Sequence, residues 1–321
     1  MRSRSNRILA LLAATVACVA FGTFATACGG DSSSESPSAS AAAGVDIAGV
    51  MVTESPELSE MLPASLKSAG ILRVATNMPY PPWEMYTEEG GDIPTGLDCD
   101  LSHALAVKLG LDWSFDQTAF DSIIPSILAG KEDIMMAGMF DSVERQEALD
   151  FVDYATDGYA LVVAKGNPEG IETVDDLAGK TVSVQASTMA DTTLTKLSKK
   201  FVADGKEAMN IMRFAGDTEA FLAVKSGKAQ ARITSVSVGA YAAKTYEGGG
   251  AFEVSTDPSV EETFGSGIVG IGVSKKTPEL TAALQAALQE LMDDGTYTKI
   301  LTKYGLEALA VESAGVNQGV E

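Results

Sequence analysis

Histidine and cysteine carry much of the nucleophilic and metal chemistry of proteins, and both are scarce in this chain. His103 is the only histidine among 321 residues, and the three cysteines are Cys18, Cys28 and Cys99. These residues do not stand at metal-ligand spacings from one another, which excludes a histidine-based catalytic triad and most zinc sites. The sequence therefore predicts neither a metal ion nor a cofactor.

A phosphate-binding pattern is present, but its surroundings do not suit it. Residues 265–270 read Gly-Ser-Gly-Ile-Val-Gly, which satisfies the G-x-G-x-x-G pattern of dinucleotide sites. Such a site needs a strand before the pattern and a helix that begins at it. The following Ile-Gly-Val at 271–273 instead favours another strand. We therefore predict no nucleotide site here.

A polar turn at residues 184–189 offers better chemistry for an anion. It reads Val-Gln-Ala-Ser-Thr-Met, a strand-to-helix turn. Backbone N–H groups at such a helix N-terminus suit a carboxylate. Gln185, Thr188 and Met189 are therefore candidate binding residues. The same residues would equally serve as an ordinary cap of their own helix.

These candidates lie in a chain where short apolar runs alternate with amphipathic stretches, which predicts an α/β fold. The predicted strands are residues 71–76, 113–115, 133–137, 161–164 and 181–184. The predicted helices are one that begins with Asp100 as its N-cap and ends at Gly110, a short turn at 174–177, and longer helices at 122–128, 218–226 and 280–291.

The first 27 residues have the pattern of a secretory signal peptide. Arg2, Arg4 and Arg7 precede an uncharged apolar run to about Phe24, and small residues then lead to Cys28. This resembles the lipobox of bacterial lipoproteins, in which the cysteine is acylated, although position 25 is alanine where leucine is usual. The alternative is an uncleaved membrane helix, since the run approaches the ~20 residues that span a bilayer.

Residues 28–60 are predicted to be the lipidated cysteine and a flexible tether, because the stretch to about Ala43 is mostly Ser, Ala, Gly, Pro and acidic residues. Without the signal, 20 basic residues face 44 acidic ones, a net charge of −24. Such a surface repels nucleic acid and anionic lipid, so membrane attachment falls to the lipid on Cys28. Cys99, left alone, is expected to pack as a small buried hydrophobe.

Eight short segments follow one another in an order and spacing that resemble the polar amino-acid solute-binding proteins of bacterial importers, known as solute-binding family 3. The segments are GILRVAT at 70–76, YPPWE at 80–84, GLDCDL at 96–101, FDSIIP at 120–125, GM at 138–139, ER at 144–145, DF at 150–151 and DGTY at 294–297. The resemblance covers about residues 69–306.

The resemblance implies a two-lobed α/β architecture, the type II periplasmic-binding-protein fold, with two hinge strands and the ligand in the cleft between the lobes. Carried over by position, lobe 1 comprises residues 69–159 and 267–310, and lobe 2 comprises residues 160–266. Closure would follow the hinge motion of periplasmic binders. Residues 311–321 are polar and are predicted to be a frayed tail, and a monomer is expected.

The resemblance also implies the binding residues. Arg145 would hold the ligand's α-carboxylate with its planar guanidinium fork, and Trp83 and Phe120 would provide the aromatic faces that enclose the ligand. The full predicted set is Asn77, Trp83, Phe120, Gly138, Phe140, Arg145, Gln185, Thr188, Met189 and Ser235.

Three positions depart from the family pattern. Where the family supplies oxygen or negative charge to the ligand's ammonium, this chain has Phe140, Ser235 and Asn77. Loss of a carboxylate partner from a buried ammonium costs roughly 3–5 kcal/mol. One hypothesis is therefore that the ligand carries a methylated, cyclised or otherwise altered amine, enclosed by Trp83, Phe120 and Phe140.

A competing hypothesis keeps the free amine and takes the missing charge from a shifted acidic residue. Asp141, Asp217 and Glu262 are the candidates for that position. Under this hypothesis an ordinary amino acid remains a suitable ligand.

The resemblance implies an extracytoplasmic, lipid-anchored substrate-binding component of an ABC importer, for a polar amino acid or a derivative that bears a carboxylate. Its partners would be a permease with its ATPase and no nucleic acid. An enzyme is the alternative, because some secreted cyclohexadienyl dehydratases resemble the same fold; Asp141 and Glu262 are then the candidate acids. A sensory module is a third possibility, which would need a separate signalling partner.

Overall fold

A mixed β-sheet runs through the protein. The computed structural model describes residues 44–88 and 90–320. Its strands are β1 (Val45–Ile47), β2 (Val50–Val52), β3 (Ile71–Thr76), β4 (Met85–Tyr86), β5 (Pro94–Thr95), β6 (Asp112–Gln117), β7 (Ile134–Met135), β8 (Leu149–Ala164), β9 (Thr181–Gln185), β10 (Asn210–Phe214), β11 (Ala231–Ser235), β12 (Phe252–Val254), β13 (Ser266–Ser274) and β14 (Ala310–Val316).

Helices cover the faces of this sheet. The α-helices are α1 (Pro56–Glu60), α2 (Ala64–Ala69), α3 (Leu97–Lys108), α4 (Ile123–Leu128), α5 (Val143–Gln146), α6 (Met189–Ala203), α7 (Asp217–Lys225), α8 (Val236–Thr245), α9 (Ser259–Phe264), α10 (Pro278–Asp293) and α11 (Thr296–Tyr304). Short 3₁₀ helices lie at Phe120–Ser122, Val174–Leu177, Tyr246–Gly249 and Glu307–Leu309.

Two long strands divide the molecule into two lobes. Within the described ranges the main sheet runs in the order β10-β9-β11-β8-β13-β7-β3-β6, and β12 and β14 also pair with β8. The first half of β8 pairs with β13 and β14 in lobe 1, and its second half pairs with β11 and β12 in lobe 2. The chain therefore has the two-lobed α/β arrangement that the sequence predicts, with β8 and β13 as connecting strands.

Most predicted elements are present. The strand at 71–76 is β3, the strand at 181–184 lies within β9, and the short turn at 174–177 is a 3₁₀ helix. The apolar stripe predicted for α10 faces the core, because all of its leucines are at most 2% exposed. The G-x-G-x-x-G segment leads into β13 and not into a helix, which agrees with the rejection of a nucleotide site.

The predicted start of α3 at Asp100 is wrong. The helix begins at Leu97, after Gly96 with φ 125°. A Cβ at Gly96 would lie 2.3 Å from the carbonyl oxygen of Trp83, so only glycine allows the chain to pass this close and enter the helix four residues early.

The predicted tether at 28–60 is wrong for its second part. Residues 44–60 include β1, β2 and α1, and Ile47, Val52 and Leu58 are at most 5% exposed. These side chains belong to the same apolar cluster as the core of lobe 1, and burial of that apolar surface favours a folded segment. The signal peptide, Cys28 and the tether up to residue 43 lie outside the described residues.

The predicted frayed tail at 311–321 is also wrong as far as residue 320. Strand β14 pairs antiparallel with β8. Beyond it, the side chain of Asn317 accepts a hydrogen bond from the backbone N–H of Phe151 at 2.8 Å, and Gly319 N–H donates to Asp141 Oδ2 at 2.7 Å. Backbone hydrogen bonds hold this polar segment, so a prediction from apolar content missed it.

The structure also bears on the predictions for Cys99, for a membrane helix and for a metal site. Cys99 is free and buried, as expected, and burial raises the pKa of its thiol to about 12. Across residues 44–88 and 90–320, each helix is too short or too polar to span a bilayer. The same residues contain no group of three or more His, Cys, Asp or Glu side chains that could hold a metal ion.

Candidate functional site

A cavity of about 40 Å³ lies between the two lobes, beside the point where β8 passes from one to the other. Side chains of both lobes line it. Nine of the ten predicted binding residues are among them: Asn77, Phe120, Gly138, Phe140, Arg145, Gln185, Thr188, Met189 and Ser235. The structure thus brings these residues together, and their contacts with a ligand stay a prediction.

Arg145 presents a positive charge to this cavity and has no ion-pair partner among the described residues. Its Nη1 donates to the carbonyl oxygen of Phe140 at 2.7 Å, and the guanidinium carbon lies 5.9 Å from the centre of the Phe120 ring. Among the described residues no carboxylate lies within 4.0 Å of it to form an ion pair. Desolvation lowers the pKa of Arg145, so the remaining N–H groups of the fork suit an anion that enters the cavity.

Tyr159 stands beside Arg145 and was missed by the sequence reasoning. Its ring stacks on Phe140 with 5.1 Å between the centroids, and its hydroxyl is buried without a hydrogen-bond partner among the described residues. Burial raises the pKa of this hydroxyl, and Arg145 opposes that shift. The hydroxyl is therefore a neutral donor next to the guanidinium. The one sequence signal for a site residue here was that Tyr159 ends the predicted first segment of lobe 1, where the cleft between the lobes is expected.

The lobe 2 wall contains a buried ion pair. Arg232 in β11 is 1% exposed and Asp217 at the start of α7 is 3% exposed, and Nη2 of the arginine contacts Oδ1 of the aspartate. Desolvation raises the pKa of Asp217 to about 6, and Arg232 opposes that shift. Nε and Nη1 of Arg232 have no partner. A charged residue within a short, otherwise uncharged strand was the sequence signal for this pair.

Trp83 does not line the cavity, so the predicted ligand sandwich by Trp83 is not found. The side chain is 1% exposed, packs edge-on against Tyr154, and donates from Nε1 to Ser237 Oγ at 2.7 Å. Tyr80, three residues earlier in the same segment, lines the cavity instead. Because the segment turns sharply here, sequence order alone did not show which aromatic ring faces inward.

Hydrogen bonds join the lobes around the cavity. Gln185 Nε2 donates to Asn77 Oδ1 at 2.9 Å, and the hydroxyls of Tyr80 and Ser235 are 2.9 Å apart. With the Trp83 indole bond, these contacts connect lobe 1 to β9, β11 and α8. They hold the lobes together at the cavity.

A second acidic group, Glu84, lines the lobe 1 side. It is 1% exposed, and desolvation together with the neighbouring Asp98 raises its pKa well above the usual range. Asp98 accepts hydrogen bonds from the Tyr154 hydroxyl at 2.6 Å and from Gly138 N–H at 2.7 Å. Burial raises the pKa of Asp98 to about 7, and these two hydrogen bonds oppose that shift. Of the two carboxyl groups, Glu84 therefore holds its proton more tightly.

The three candidate acids for a shifted charge lie in different places. Asp141 binds Gln146 and the tail at Gly319, and Glu262 is exposed on α9. Neither lines the cavity, whereas Asp217 does. Arg232 contacts Oδ1 of Asp217. The other carboxylate oxygen, Oδ2, makes no hydrogen bond with the described residues. Of the three, only Asp217 can meet a ligand's ammonium here.

The turn at 184–189 serves as a helix cap. Thr188 is the N-cap of α6, and its Oγ1 accepts from Asp191 N–H at 3.2 Å and donates to the Gln185 carbonyl oxygen at 2.8 Å. The capping interpretation is therefore correct. Because the same turn lines the cavity, capping does not remove it from the candidate site.

Comparison with known proteins gives consistent matches. Residues 72–307 match the model of the bacterial extracellular solute-binding proteins, family 3. The arginine-binding protein ArgT of Corynebacterium glutamicum is 33% identical over 264 residues, which cover 82% of this chain and 83% of that protein.

Solved structures agree. An ancestral arginine-binding protein bound to arginine has a TM-score of 0.65 and 35% identity, over 73% of this chain and 98% of that one. The ancestral amino acid-binding protein AncCDT-1, a precursor of cyclohexadienyl dehydratase, has a TM-score of 0.64 and 33% identity, over 75% of this chain and 97% of that one.

Proposed function

The chain belongs to family 3 of the bacterial extracellular solute-binding proteins, and from this membership we propose that it binds a polar amino acid between its lobes for an ABC importer. Family membership and the type II fold agree with the sequence prediction. The identity of the ligand and the roles of single residues are our proposal.

One observation carries the proposal. Within the described residues, seven buried side-chain atoms have no hydrogen-bond partner, and four of them belong to three residues of the cavity: Glu84, Tyr159 and Arg232. Buried polar groups are nearly always paired in native proteins. Their concentration at one cavity supports a polar ligand that completes these hydrogen bonds.

The two ends of an α-amino acid suit the two walls of the cavity. Arg145 and the Tyr159 hydroxyl provide donors for the carboxylate in lobe 1, and Oδ2 of Asp217 provides an acceptor for the ammonium in lobe 2. Tyr80 and Phe120 supply aromatic surface between them. Because Asp217 lies at the cavity and Trp83 does not, we favour a free amine over the altered-amine hypothesis.

The test is calorimetric titration and thermal shift of the full chain with the twenty amino acids. At least one should bind, and at 100 times its dissociation constant it should stabilise the fold by about 2.7 kcal/mol. Arg145→Ala should weaken binding roughly 30-fold or more, since truncation of one partner of a buried charge pair costs about 2–5 kcal/mol.

Arg73→Ala is the matched control, because Arg73 pairs with Asp133 in lobe 1 and is not a cavity residue. It should leave the ligand affinity unchanged. Full binding by Arg145→Ala, or binding of betaine-like compounds in preference to free amino acids, would contradict the assignment of the two walls.

We also propose that Cys28 carries a lipid that holds the protein on the outer side of the cell membrane as a monomer, where a permease with its ATPase receives the ligand. The support is the sequence before Cys28. Mass spectrometry of the N-terminal peptide should show acylation of Cys28. Release of the Cys28→Ala protein into the medium is the matching cellular result.

The alternative function is that of a dehydratase, and the similarity to AncCDT-1 is the reason to test it. The two acids that the sequence suggested, Asp141 and Glu262, do not line the cavity. Glu84, which is buried and protonated, is the acid that a proton-transfer step would use. Recovery of the bound compound unchanged after prolonged incubation supports binding without catalysis.

A further inference from the structure

We propose that Arg232 is a second ligand anchor, which with Asp217 selects amino acids whose side chain ends in a hydrogen-bond acceptor, a carboxylate in preference to an amide. This inference rests on the proposed function, because it names the ligand class of the same cavity.

The geometry of Arg232 carries the inference. The side chain is 1% exposed, and Nη2 already serves Asp217 Oδ1, with Thr234 Oγ1 at 3.4 Å. The guanidinium carbon lies 4.4 Å from the centre of the Phe221 ring, which covers one of its faces. Nε and Nη1 have no hydrogen-bond partner within the part of the chain that the structure describes. Buried N–H groups without acceptors cost free energy, so the ion pair with Asp217 alone does not account for an arginine at this position.

The pair also sets the sign of charge that the lobe 2 wall accepts. Among the described residues, Asp217 is the one carboxylate in the lobe 2 wall of the cavity, and Arg232 already offsets part of its charge. The other lining acid, Glu84, belongs to lobe 1 and is held protonated. A side chain that ends in an ammonium or guanidinium would meet Arg232 in a poorly hydrated cleft, where like charges repel strongly.

A carboxylate in the same place would accept from Nε and Nη1 of Arg232, and charge-assisted bonds to a planar guanidinium are among the strongest in proteins. An amide oxygen would accept the same bonds without the charge. The ligand order therefore follows from Arg232: acidic side chains first, amides next, and basic side chains last.

The experiment is calorimetric titration of the full chain with L-glutamate, L-aspartate, L-glutamine, L-asparagine, L-arginine and L-lysine. We expect one of the two acidic amino acids to bind tightest, and both basic ones to bind at least 100-fold more weakly. Arginine or lysine that binds as tightly as glutamate overturns the inference and leaves the proposed function in place. Absence of binding by every amino acid overturns both.

Two variants isolate Arg232. Arg232→Lys keeps the positive charge beside Asp217 but loses the planar fork. It should weaken binding of the preferred acidic ligand about tenfold and change the affinity for arginine little. Arg232→Met leaves Asp217 without its partner, and it should shift the preference towards the basic amino acids.

Circular dichroism and thermal unfolding establish that each variant folds. If Arg232→Met does not fold, Arg232→Lys decides alone. Equal loss of affinity for all six amino acids in Arg232→Lys would mean that Arg232 only supports the wall, and the inference would be wrong.

Discussion

At the residue scale, some polar side chains of the cavity have all their hydrogen-bond partners within the protein, and others lack partners. One N–H of the Arg145 guanidinium donates to a backbone carbonyl, and the Tyr159 hydroxyl has no hydrogen-bond partner in residues 44–88 and 90–320. Buried polar atoms without a partner destabilise the free protein, and a ligand that supplied the missing partners would remove that cost. Binding residues can therefore be separated from structural residues by the opposite effects of the same substitution.

Tyr159→Phe should weaken ligand binding without a loss of stability. Removal of an unpaired buried hydroxyl leaves the free energy of unfolding unchanged or slightly higher, because the hydroxyl makes no bond in the free protein. The preferred ligand should bind about fivefold more weakly, which corresponds to the loss of roughly one hydrogen bond of about 1 kcal/mol.

Tyr297→Phe is the control for that variant. The Tyr297 hydroxyl donates to the carbonyl oxygen of Tyr154 at 2.7 Å, away from the cavity. Its loss should lower the melting temperature and leave the affinity unchanged. A fall in stability of Tyr159→Phe equal to that of Tyr297→Phe would show that the Tyr159 hydroxyl is structural.

Residue types and family spacing could predict nine residues that the fold brings to one cavity. They could not predict which ring of the 80–84 segment faces inward, because that depends on the path of a turn. They also missed Arg232, because the local pattern of β11 does not show that α7 places Asp217 beside it. Contacts between distant segments were beyond what the local pattern could show.

At the element scale, strong apolar patterns were predictive and polar segments were not. Strand β3 and helix α10 carry clear periodicity, and the structure confirms both. Strand β14 gave little apolar signal, whereas the apolar residues of the N-terminal hairpin β1–β2 were assigned to the tether because they follow its polar stretch. Both are held in place by contacts with the rest of lobe 1, which a reading of their own composition does not include.

The tail after β14 makes a pH-dependent contact with β8. Asp153 accepts from Gln318 N–H at 3.0 Å, and its other carboxylate oxygen is buried without a partner. Desolvation, together with the nearby Asp141, raises the pKa of Asp153 to about 7, although the Gln318 bond opposes this. The unfolded chain ionises Asp153 near pH 4, so this group costs stability as the pH rises from about 4 to about 7.

Asp153→Asn removes that cost. The melting temperature of the variant relative to the natural chain should therefore be higher at pH 8 than at pH 5. Asp176→Asn is the control, because hydrogen bonds from Thr173 lower the pKa of Asp176. Its contribution is fully present above the unfolded pKa, so the loss should be the same at pH 5 and pH 8. A constant difference for Asp153→Asn would refute a protonated Asp153.

At the scale of the whole molecule, the lobes are joined in two ways. Strands β8 and β13 connect them covalently, and side-chain hydrogen bonds across the cavity connect them reversibly. One of these bonds, from the Trp83 indole to Ser237, does not touch the cavity. Its loss should weaken the closed arrangement of the lobes without any change in the ligand's own contacts.

Trp83→Phe tests this coupling. We expect about fivefold weaker ligand binding, because the bond forms only when the lobes meet and one such bond contributes about 1 kcal/mol. Trp113→Phe removes a comparable bond, to Ser102 at 2.9 Å, within lobe 1. It should leave the affinity unchanged. Equal affinities for the two variants would show that closure does not depend on the Trp83 bond.

The position of Trp83 also makes its intrinsic fluorescence a reporter of lobe opening. The chain contains two tryptophans, so the Trp113→Phe protein has indole emission from Trp83 alone. While the lobes are together, that indole is 1% exposed and bonded to a residue of the opposite lobe. Separation of the lobes would hydrate the indole and move its emission to longer wavelengths. The fluorescence of one side chain would then follow opening and closing in real time, without an attached dye.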